Sequence, residues 1–364
     1  MALFGPLKLV DSSPFIKIRP AQRHTSSLHF RKEKMKKKLI TLAVALSATA
    51  LVAGTTTAAS AADKTLKIEM ISKGFTHQFW QAVKKGAEDQ AAKMNATINF
   101  VGPAAETMID QQLQMLDDAI AKKPDAIGYA ALGTTESVTH LKKAKDAGIP
   151  VYMFDTAAKC DGALGTASNC ALGVAYTDSK AAGKLAADKM GAMVGGKGKV
   201  FVIGHTQTNQ TGIDRRDGFV NEIKAKFPKI TLLPVQYAEG GDPQKAQDVV
   251  AAVLLANKDL KGVYATNEGC SNGAAKAFQN AKLNPGKVKL IGFDSGAQQI
   301  ANVKSGLESG AITQNPIGIG AKTVEALVNY VRNKTVPANL IDTGFYYYDK
   351  KNITDPKIAA DLYN

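Results

Sequence analysis

The stretch from residue 66 to residue 86 constrains the fold more than any other part of the chain. It starts with a short apolar run, breaks at a Ser-Lys-Gly sequence, and continues with apolar residues at the spacing of an amphipathic helix. A strand, a polar turn and a helix in this order form the first unit of a parallel α/β sheet. Because strands and helices go on alternating to the end of the chain, we predict an α/β protein with parallel sheets.

The turn of this first unit carries the first candidate ligand-binding residues. Ligands of parallel α/β sheets bind outside the carboxyl ends of the strands, and His77, Phe79 and Trp80 follow the first strand at that end. The two rings can instead belong to the core, and a histidine on a turn is more often a surface residue. The pattern alone leaves these interpretations open.

Two βα series of similar length follow each other, which predicts two doubly wound lobes. The second series begins with a helix at residue 179 and includes helices predicted over 214–227 and 271–281 and a strand predicted over 230–237. A late helix over 317–332 has no strand of its own nearby. It can return to the first lobe, which would make the connection between the lobes multiple.

The basic charge of the chain is concentrated near its start. The net charge is +14, but residues 1–61 alone hold ten Lys/Arg and two Asp/Glu, so they account for +8. We therefore expect no nucleic-acid partner. Residues 35–61 have the three Lys, the apolar run and the Ala-Ser-Ala site of a signal peptide. We expect an exported, soluble periplasmic protein without a lipid anchor, and we interpret residues 1–34 as an upstream extension that is disordered or not translated.

The three cysteines predict at most one disulfide. Cys160 and Cys170 lie ten residues apart in a loop rich in small residues, and they can form a disulfide in an oxidising compartment. Cys270 is left over, and we expect it to be a small, half-buried residue. Without a C-x-x-C pair we expect no metal site.

Six short segments, in order and at compatible spacing, resemble one protein family. They are THQFW, VYMFD, GIDRRDGF, the TN pair at 266–267, LIGFDS and AITQNP. Together they resemble the ribose-type periplasmic sugar-binding proteins of ABC transporters, which have the type I periplasmic binding protein fold. The resemblance covers nearly all of residues 64–364.

The resemblance implies two lobes that are joined by a three-strand hinge and enclose a monosaccharide. It places the crossings near residues 176–178, 314–315 and 343–345. The first lobe would then comprise residues 64–176 and 315–343. The second lobe would comprise residues 177–314 and 344–364.

Carried over position by position, the resemblance implies a set of ligand contacts, namely His77, Phe79, Trp80, Asp155, Asn267, Asp294 and Gln314. Flat rings suit the C–H faces of a sugar, and carboxylates and amides suit its hydroxyls. From the pattern alone, the two Asp can instead cap the next helix and Asn267 can be a cap or turn residue. Gln314 can be an ordinary strand-end residue.

The chain departs from the family pattern at three positions. Ile213 occupies the place of a ligand-binding Arg, Thr156 replaces the Arg after Asp155, and alanines follow the third strand. Arg215 or Arg216 can substitute, or residues 209–211 can line the pocket, with Asn209 among them. A solvated ion-pair cluster is the default interpretation of both arginines. Because two cationic side chains of the family pattern are absent, we expect a related pentose, a deoxy sugar or a polyol rather than ribose.

The function that the resemblance implies is capture of a small-molecule sugar or polyol and its delivery to an ABC transporter permease in the membrane. A sugar sensor presented to a membrane receptor is the alternative. We expect no cofactor, a monomer and no enzymatic activity, because the common nucleophile, zinc and phosphate-binding motifs do not occur. Asp155 and Asp294 remain a conceivable glycosidase pair, although nothing in the sequence raises either pKa.

Overall fold

The computed structural model describes residues 64–166 and 169–363. The predicted upstream extension and signal peptide lie outside the described residues. Strands and helices are numbered below in chain order.

The first lobe is built on a six-stranded, fully parallel sheet in the order β12-β5-β4-β3-β1-β2. β3, β4 and nearly all of β1 are buried, as expected for strands that are covered by helices on both faces. The six strands are β1 (Leu66–Ile71), β2 (Ala96–Val101), β3 (Ala126–Tyr129), β4 (Val151–Phe154), β5 (Val174–Tyr176) and β12 (Leu340–Asp342).

The second lobe is built on a seven-stranded sheet in the order β13-β11-β10-β9-β6-β7, with β8 paired to β6. Only β13 runs antiparallel to its neighbour. The seven strands are β6 (Lys197–Gly204), β7 (Lys229–Leu232), β8 (Gln236–Tyr237), β9 (Leu260–Ala265), β10 (Lys289–Phe293), β11 (Gly310–Gln314) and β13 (Phe345–Tyr348).

Helices cover both sheets and pack in pairs, α1 on α9, α4 on α5 and α6 on α7. None of the helices that the structure describes has the length and apolar content needed to cross a membrane. The helices are α1 (Gln78–Lys93), α2 (Ile109–Ala121), α3 (Ser137–Asp146), α4 (Ser179–Met193), α5 (Gln210–Lys226), α6 (Pro243–Ala256), α7 (Glu268–Asn280), α8 (Ala297–Ser305), α9 (Pro316–Asn333) and α10 (Pro356–Ala359).

The chain passes between the two sheets three times. It leaves the first sheet after β5, returns after β11 through α9, and leaves again between β12 and β13. The sequence left open whether the late helix returns to the first lobe, and in the structure α9 packs on α1 of that lobe. The two helices come very close: a Cβ atom at Gly86 or Gly320 would strike the backbone of the partner helix. The residue-level lobe boundaries stay a proposal, which these crossings support.

Three predicted elements have different bounds in the structure. α5 begins four residues earlier than predicted, because Asn209 caps its first turn by accepting a hydrogen bond from the backbone N–H of Thr211. α7 begins three residues earlier for the same reason, with Asn267 as its cap. The strand predicted over 230–237 is divided into β7 and β8. Pro234 lies in the gap, and proline cannot donate to a strand ladder.

The structure joins Cys160 and Cys170 in a disulfide, with their Cα atoms 5.8 Å apart. This bridge closes the loop between β4 and β5 on the first lobe. Cys270 is fully buried in α7 rather than half-buried, because a thiol behaves as a small apolar side chain in a core.

The second lobe contains a buried carboxyl group away from the interlobe region. Glu308 Oε1 accepts hydrogen bonds from Ser271 Oγ at 2.8 Å and Gln299 Nε2 at 3.2 Å. Burial raises the pKa of Glu308 to about 8. An unfolded chain has a Glu pKa of about 4.3, so the folded form binds this proton more tightly. Protonated Glu308 therefore contributes to the stability of the fold at acidic pH. This contribution is lost as the pH rises towards 8.

We predict that Glu308→Gln, which keeps an acceptor oxygen but cannot ionise, flattens the pH dependence of stability. The free energy of unfolding of the wild type should fall by a few kcal/mol, as an order of magnitude, between pH 5 and pH 8.5. Urea titrations at both pH values measure this difference. Glu325→Gln, at an exposed pair with Lys322, is the matched control. Equal pH dependence in the wild type and Glu308→Gln would contradict the prediction.

Candidate functional site

A cavity lies where the carboxyl ends of the two sheets face each other. The empty space within it, counted out to its open side, is about 340 Å³. Eight of the nine ligand-binding residues predicted from the sequence line it, and their role stays a prediction. The lining residues are Lys73, His77, Phe79, Trp80, Glu106, Asp155, His205, Thr211, Arg215, Asn267, Glu268, Asp294 and Gln314.

The first lobe contributes an aromatic wall to the cavity. Phe79 and Trp80 stand edge to face with their ring centroids 4.8 Å apart, and both are buried in the core of the first lobe. Trp80 Nε1 donates a hydrogen bond to Glu106 Oε1 at 2.8 Å, which fixes the orientation of the indole. Each ring therefore packs in the core and also lines the cavity, and its contact with a ligand stays a prediction.

A buried ion pair belongs to the first lobe's part of the cavity lining. Lys73 Nζ lies 2.6 Å from Asp155 Oδ2, and each side chain is 3% exposed. Lys73 also donates to Asn209 Oδ1 at 3.3 Å and Thr211 Oγ1 at 3.2 Å on the second lobe. Asn209 is the one predicted residue outside the cavity lining. It contacts the site only through this bond and its hydrogen bonds with Thr211.

Two cations line the cavity, at positions other than the two where the family pattern has arginines. The first is Lys73, which pairs with Asp155, and Thr156 Oγ1 accepts from Lys73 at 3.1 Å. In the sequence, Lys73 was interpreted only as a strand break. The rule that ligands bind beyond strand ends could have identified it, because it lies two residues after β1.

Arg215 supplies the second cation, so its interpretation as part of a solvated cluster is wrong. Its side chain is buried, its guanidinium lies 3.7 Å from the ring centroid of Phe293, and Nη1 donates to the Thr266 carbonyl at 2.9 Å. The default interpretation holds for Arg216, which pairs with Asp217 at 2.6 Å near the surface. Helical geometry separates the two, because adjacent residues on a helix point in different directions.

His205, which the sequence patterns did not single out, is fully buried at the end of β6. Burial lowers its pKa well below the usual value, and the charges of Arg215 and Lys73 act in the same direction. The imidazole is therefore neutral near pH 7. Its Nδ1 lies 2.8 Å from Thr266 Oγ1. A neutral ring in this position can donate or accept a hydrogen bond with a ligand, and it adds no charge to the cavity.

Asp294 is the polar centre of the second lobe. Gln314 Nε2 donates to its Oδ1 at 2.6 Å, and the backbone N–H of Glu268 donates to its Oδ2 at 3.1 Å. Burial raises the pKa of Asp294, while the charge of Arg215 and these hydrogen bonds oppose the rise. The helix that follows Asp294 is capped by Gly296, so the alternative in which this Asp caps the next helix is wrong.

Glu268 is a second carboxyl group that the sequence patterns did not single out. Burial, and then the charge of Asp294, raise its pKa to about 7. Three buried polar atoms of the lining residues have no hydrogen-bond partner among the described residues: Arg215 Nε, Glu268 Oε2 and Gln314 Oε1. Buried polar groups are normally paired, so these atoms mark places where polar groups of a ligand can bind.

A side chain of the first lobe caps a helix of the second lobe. Gln78 Oε1, on α1, accepts a hydrogen bond from the backbone N–H of Ala297 in α8 at 2.7 Å. α8 has no side-chain cap from its own preceding residue. The first N–H groups of a helix need partners, so contact between the lobes satisfies a donor that separation would leave to water.

The family model for the periplasmic binding protein domain matches residues 68–335. The D-allose-binding periplasmic protein of Escherichia coli K12 is 30% identical over 273 residues, which are 74% of this chain and 86% of that protein. The ribose import binding protein of Salmonella typhimurium LT2 is 29% identical over 312 residues, 83% of this chain and 95% of that protein. The chain belongs to the periplasmic binding protein family, and these relatives are sugar-binding proteins of ABC transporters.

Solved structures agree with this assignment. An ABC transporter solute-binding protein from Agrobacterium vitis with bound D-fucose superposes with a TM-score of 0.77 at 34% identity. The match covers 82% of this chain and all of that chain. Both the predicted resemblance and the predicted two-lobed fold are thereby confirmed.

We predict that Gln78→Ala weakens closure of the lobes and exposes Trp80, the only tryptophan in the sequence. Trp80 is 1% exposed in this structure. Loss of one hydrogen bond of about 1 kcal/mol should raise the ratio of open to closed molecules about fivefold. Acrylamide quenching of tryptophan fluorescence measures the exposure. Gln81→Ala, which removes a contact within the first lobe, is the control. Equal quenching of the two variants would contradict the prediction.

Proposed function

We propose that this protein captures one uncharged monosaccharide or polyol between its lobes and delivers it to an ABC transporter permease. The observation that carries the proposal is the interlobe cavity, with aromatic rings from one lobe and carboxylate and amide groups from the other. Membership in a family of solute-binding transport proteins supports the same conclusion.

The cavity matches the two surfaces of a sugar. The rings of Phe79 and Trp80 can lie against apolar C–H groups. Hydroxyl groups can bond to Asp294, Asn267 and Gln314 in the second lobe. Unpaired atoms such as Arg215 Nε and Gln314 Oε1 would gain partners from a bound hydroxyl. Burial of such bonds favours ligands that satisfy every polar atom and rejects analogues that lack one hydroxyl.

The charges of the cavity favour a neutral ligand. Lys73 is already paired with Asp155, and Arg215 lies close enough to Asp294 to oppose the rise of its pKa. An additional charge on the ligand would have to be buried without a partner, which is costly. The argument against ribose that rested on missing cations does not hold, because Lys73 and Arg215 supply them. Pentoses, hexoses, deoxy sugars and polyols are therefore all candidates.

Closure of the lobes provides the mechanism of capture. A ligand that contacts both lobes stabilises the closed form by its additional contacts there, and the cross-lobe cap between Gln78 and Ala297 forms at the same time. The closed form is then the surface that the permease would distinguish from the open form. We propose a periplasmic location on the basis of the pattern at residues 35–61, and we propose that the site performs no reaction. Presentation to a membrane receptor stays the alternative.

We predict that at least one sugar in a panel of D-allose, D-ribose, D-fucose, D-arabinose and xylitol raises the melting temperature of the purified protein. Calorimetry should then give a micromolar dissociation constant, equivalent to about −8 kcal/mol. Asp294→Ala should weaken binding by about 2–3 kcal/mol, or about 30- to 150-fold, because a charge-assisted acceptor is removed.

Asp259→Ala, on the exposed surface of the second lobe, is the matched control and should bind like the wild type. Unchanged affinity in Asp294→Ala would reject this site. A panel that produces no thermal shift, extended to other neutral sugars with the same result, would reject the proposed function.

A further inference from the structure

One peptide group next to the cavity is held by two tyrosine hydroxyls. The hydroxyl of Tyr348 donates a hydrogen bond to the carbonyl oxygen of Asp294 at 2.8 Å. The hydroxyl of Tyr363 accepts a hydrogen bond from the backbone N–H of Ser295 at 3.2 Å. These two backbone groups belong to the same peptide unit, which links Asp294 to Ser295. Both ends of its dipole are therefore bound by side chains.

This peptide unit determines where the Asp294 carboxylate points. Asp294 has a φ of +82°, well beyond the ordinary left-handed value near +57°, whereas Asp155 at the corresponding strand end of the first lobe has a φ of +58°. A positive φ is uncommon for a residue with a side chain, and a value far from the ordinary left-handed region is retained when the surroundings hold it there. Asp294 therefore depends on neighbouring contacts for its conformation more than Asp155 does.

The two tyrosines belong to the segment that follows the last crossing between the lobes. Tyr348 ends β13, and Tyr363 follows α10. Both side chains are buried. The ring of Tyr363 also lies edge-on to the ring of Phe79 on the first lobe, with their centroids 6.2 Å apart. Tyr363 therefore contacts both the aromatic wall of the cavity and the peptide that carries its central carboxylate.

Further bonds fix this segment beneath the cavity. Ser295 Oγ and Thr313 Oγ1 lie 2.8 Å apart, and Thr313 Oγ1 donates to the carbonyl oxygen of Asp361 at 2.8 Å. Ser295 and Thr313 are fully buried. The segment around Tyr363 is thus attached to the strand-end turn by several hydrogen bonds.

We propose that Tyr348 and Tyr363 are positioning residues of the binding site, which hold the Asp294–Ser295 peptide so that the Asp294 carboxylate faces the cavity. The inference rests on the proposed function in assigning Asp294 to the ligand. The hydroxyls themselves do not line the cavity, so they act through Asp294 and not by contact with a sugar.

The first experiment needs no ligand. Backbone amide hydrogen exchange, followed by NMR, is measured in the wild type, Tyr363→Phe and Tyr347→Phe. Phenylalanine keeps the ring and removes only the hydroxyl. Tyr347 is the matched control, because it lies in the same strand as Tyr348 but bonds to the carbonyl of Ser309 instead. The Ser295 amide should exchange about tenfold faster in Tyr363→Phe and at the wild-type rate in Tyr347→Phe.

The second experiment separates positioning from simple stabilisation. Affinities for the five compounds of the panel are measured by calorimetry for Tyr348→Phe and Tyr363→Phe, alone and combined with Asp294→Ala. Each tyrosine variant should bind the tightest compound about tenfold more weakly in the wild-type background. In the Asp294→Ala background it should cause no further loss, because the carboxylate that it positions is absent.

The results distinguish the two proposals. An unchanged exchange rate of the Ser295 amide in Tyr363→Phe overturns the positioning role, whether or not any sugar binds. Equal losses of affinity in both backgrounds also overturn it, because the tyrosines would then act independently of Asp294. If no sugar binds the wild type, the proposed function fails, while the exchange measurement still decides whether Tyr363 holds the peptide.

Discussion

The arrangement of the whole cavity depends on one buried ion pair, between Lys73 and Asp155. Two charges at 2.6 Å, each almost excluded from solvent, are tolerable only when they are paired and further hydrogen-bonded. Lys73 obtains the additional partners from Asn209 and Thr211 on the opposite lobe. The bonds of this ammonium group therefore link the two lobes in this structure.

The second lobe also contains a buried charge, that of a carboxylate, which hydrogen bonds stabilise. Asp294, like Asp155, follows a buried strand and has a positive φ. Its negative charge is met by Gln314, by the first N–H of α7 and by the nearby Arg215. The two lobes thus present strand-end carboxylates to each other. Under the proposed function, a neutral, hydroxyl-rich ligand would bind between them, and the same groups would serve closure and ligand binding.

Local patterns in the sequence predicted most of the fold and many of the site residues. Apolar periodicity identified β1, α1 and the long α9, and the family resemblance supplied Asp155 and Asp294 as candidate site residues. The sequence patterns did not separate Arg215 from Arg216. Only the directions of the two side chains on α5 distinguish the buried cation from the surface ion pair. Lys73, His205 and Glu268 were missed, since a charged or polar residue after a strand is usually a solvated turn residue.

The sequence by itself determined the alternation of strands and helices, the two lobes and the residue types at the strand ends, because hydrophobic spacing and turn chemistry are local properties of the chain. Only the tertiary structure decided which polar groups meet. The Lys73–Asp155 pair joins the turns after two different strands, β1 and β4, and Tyr348 and Tyr363 reach the Asp294–Ser295 peptide from the last segment of the chain. Such contacts depend on how the chain crosses between two sheets, and no local pattern encodes that geometry.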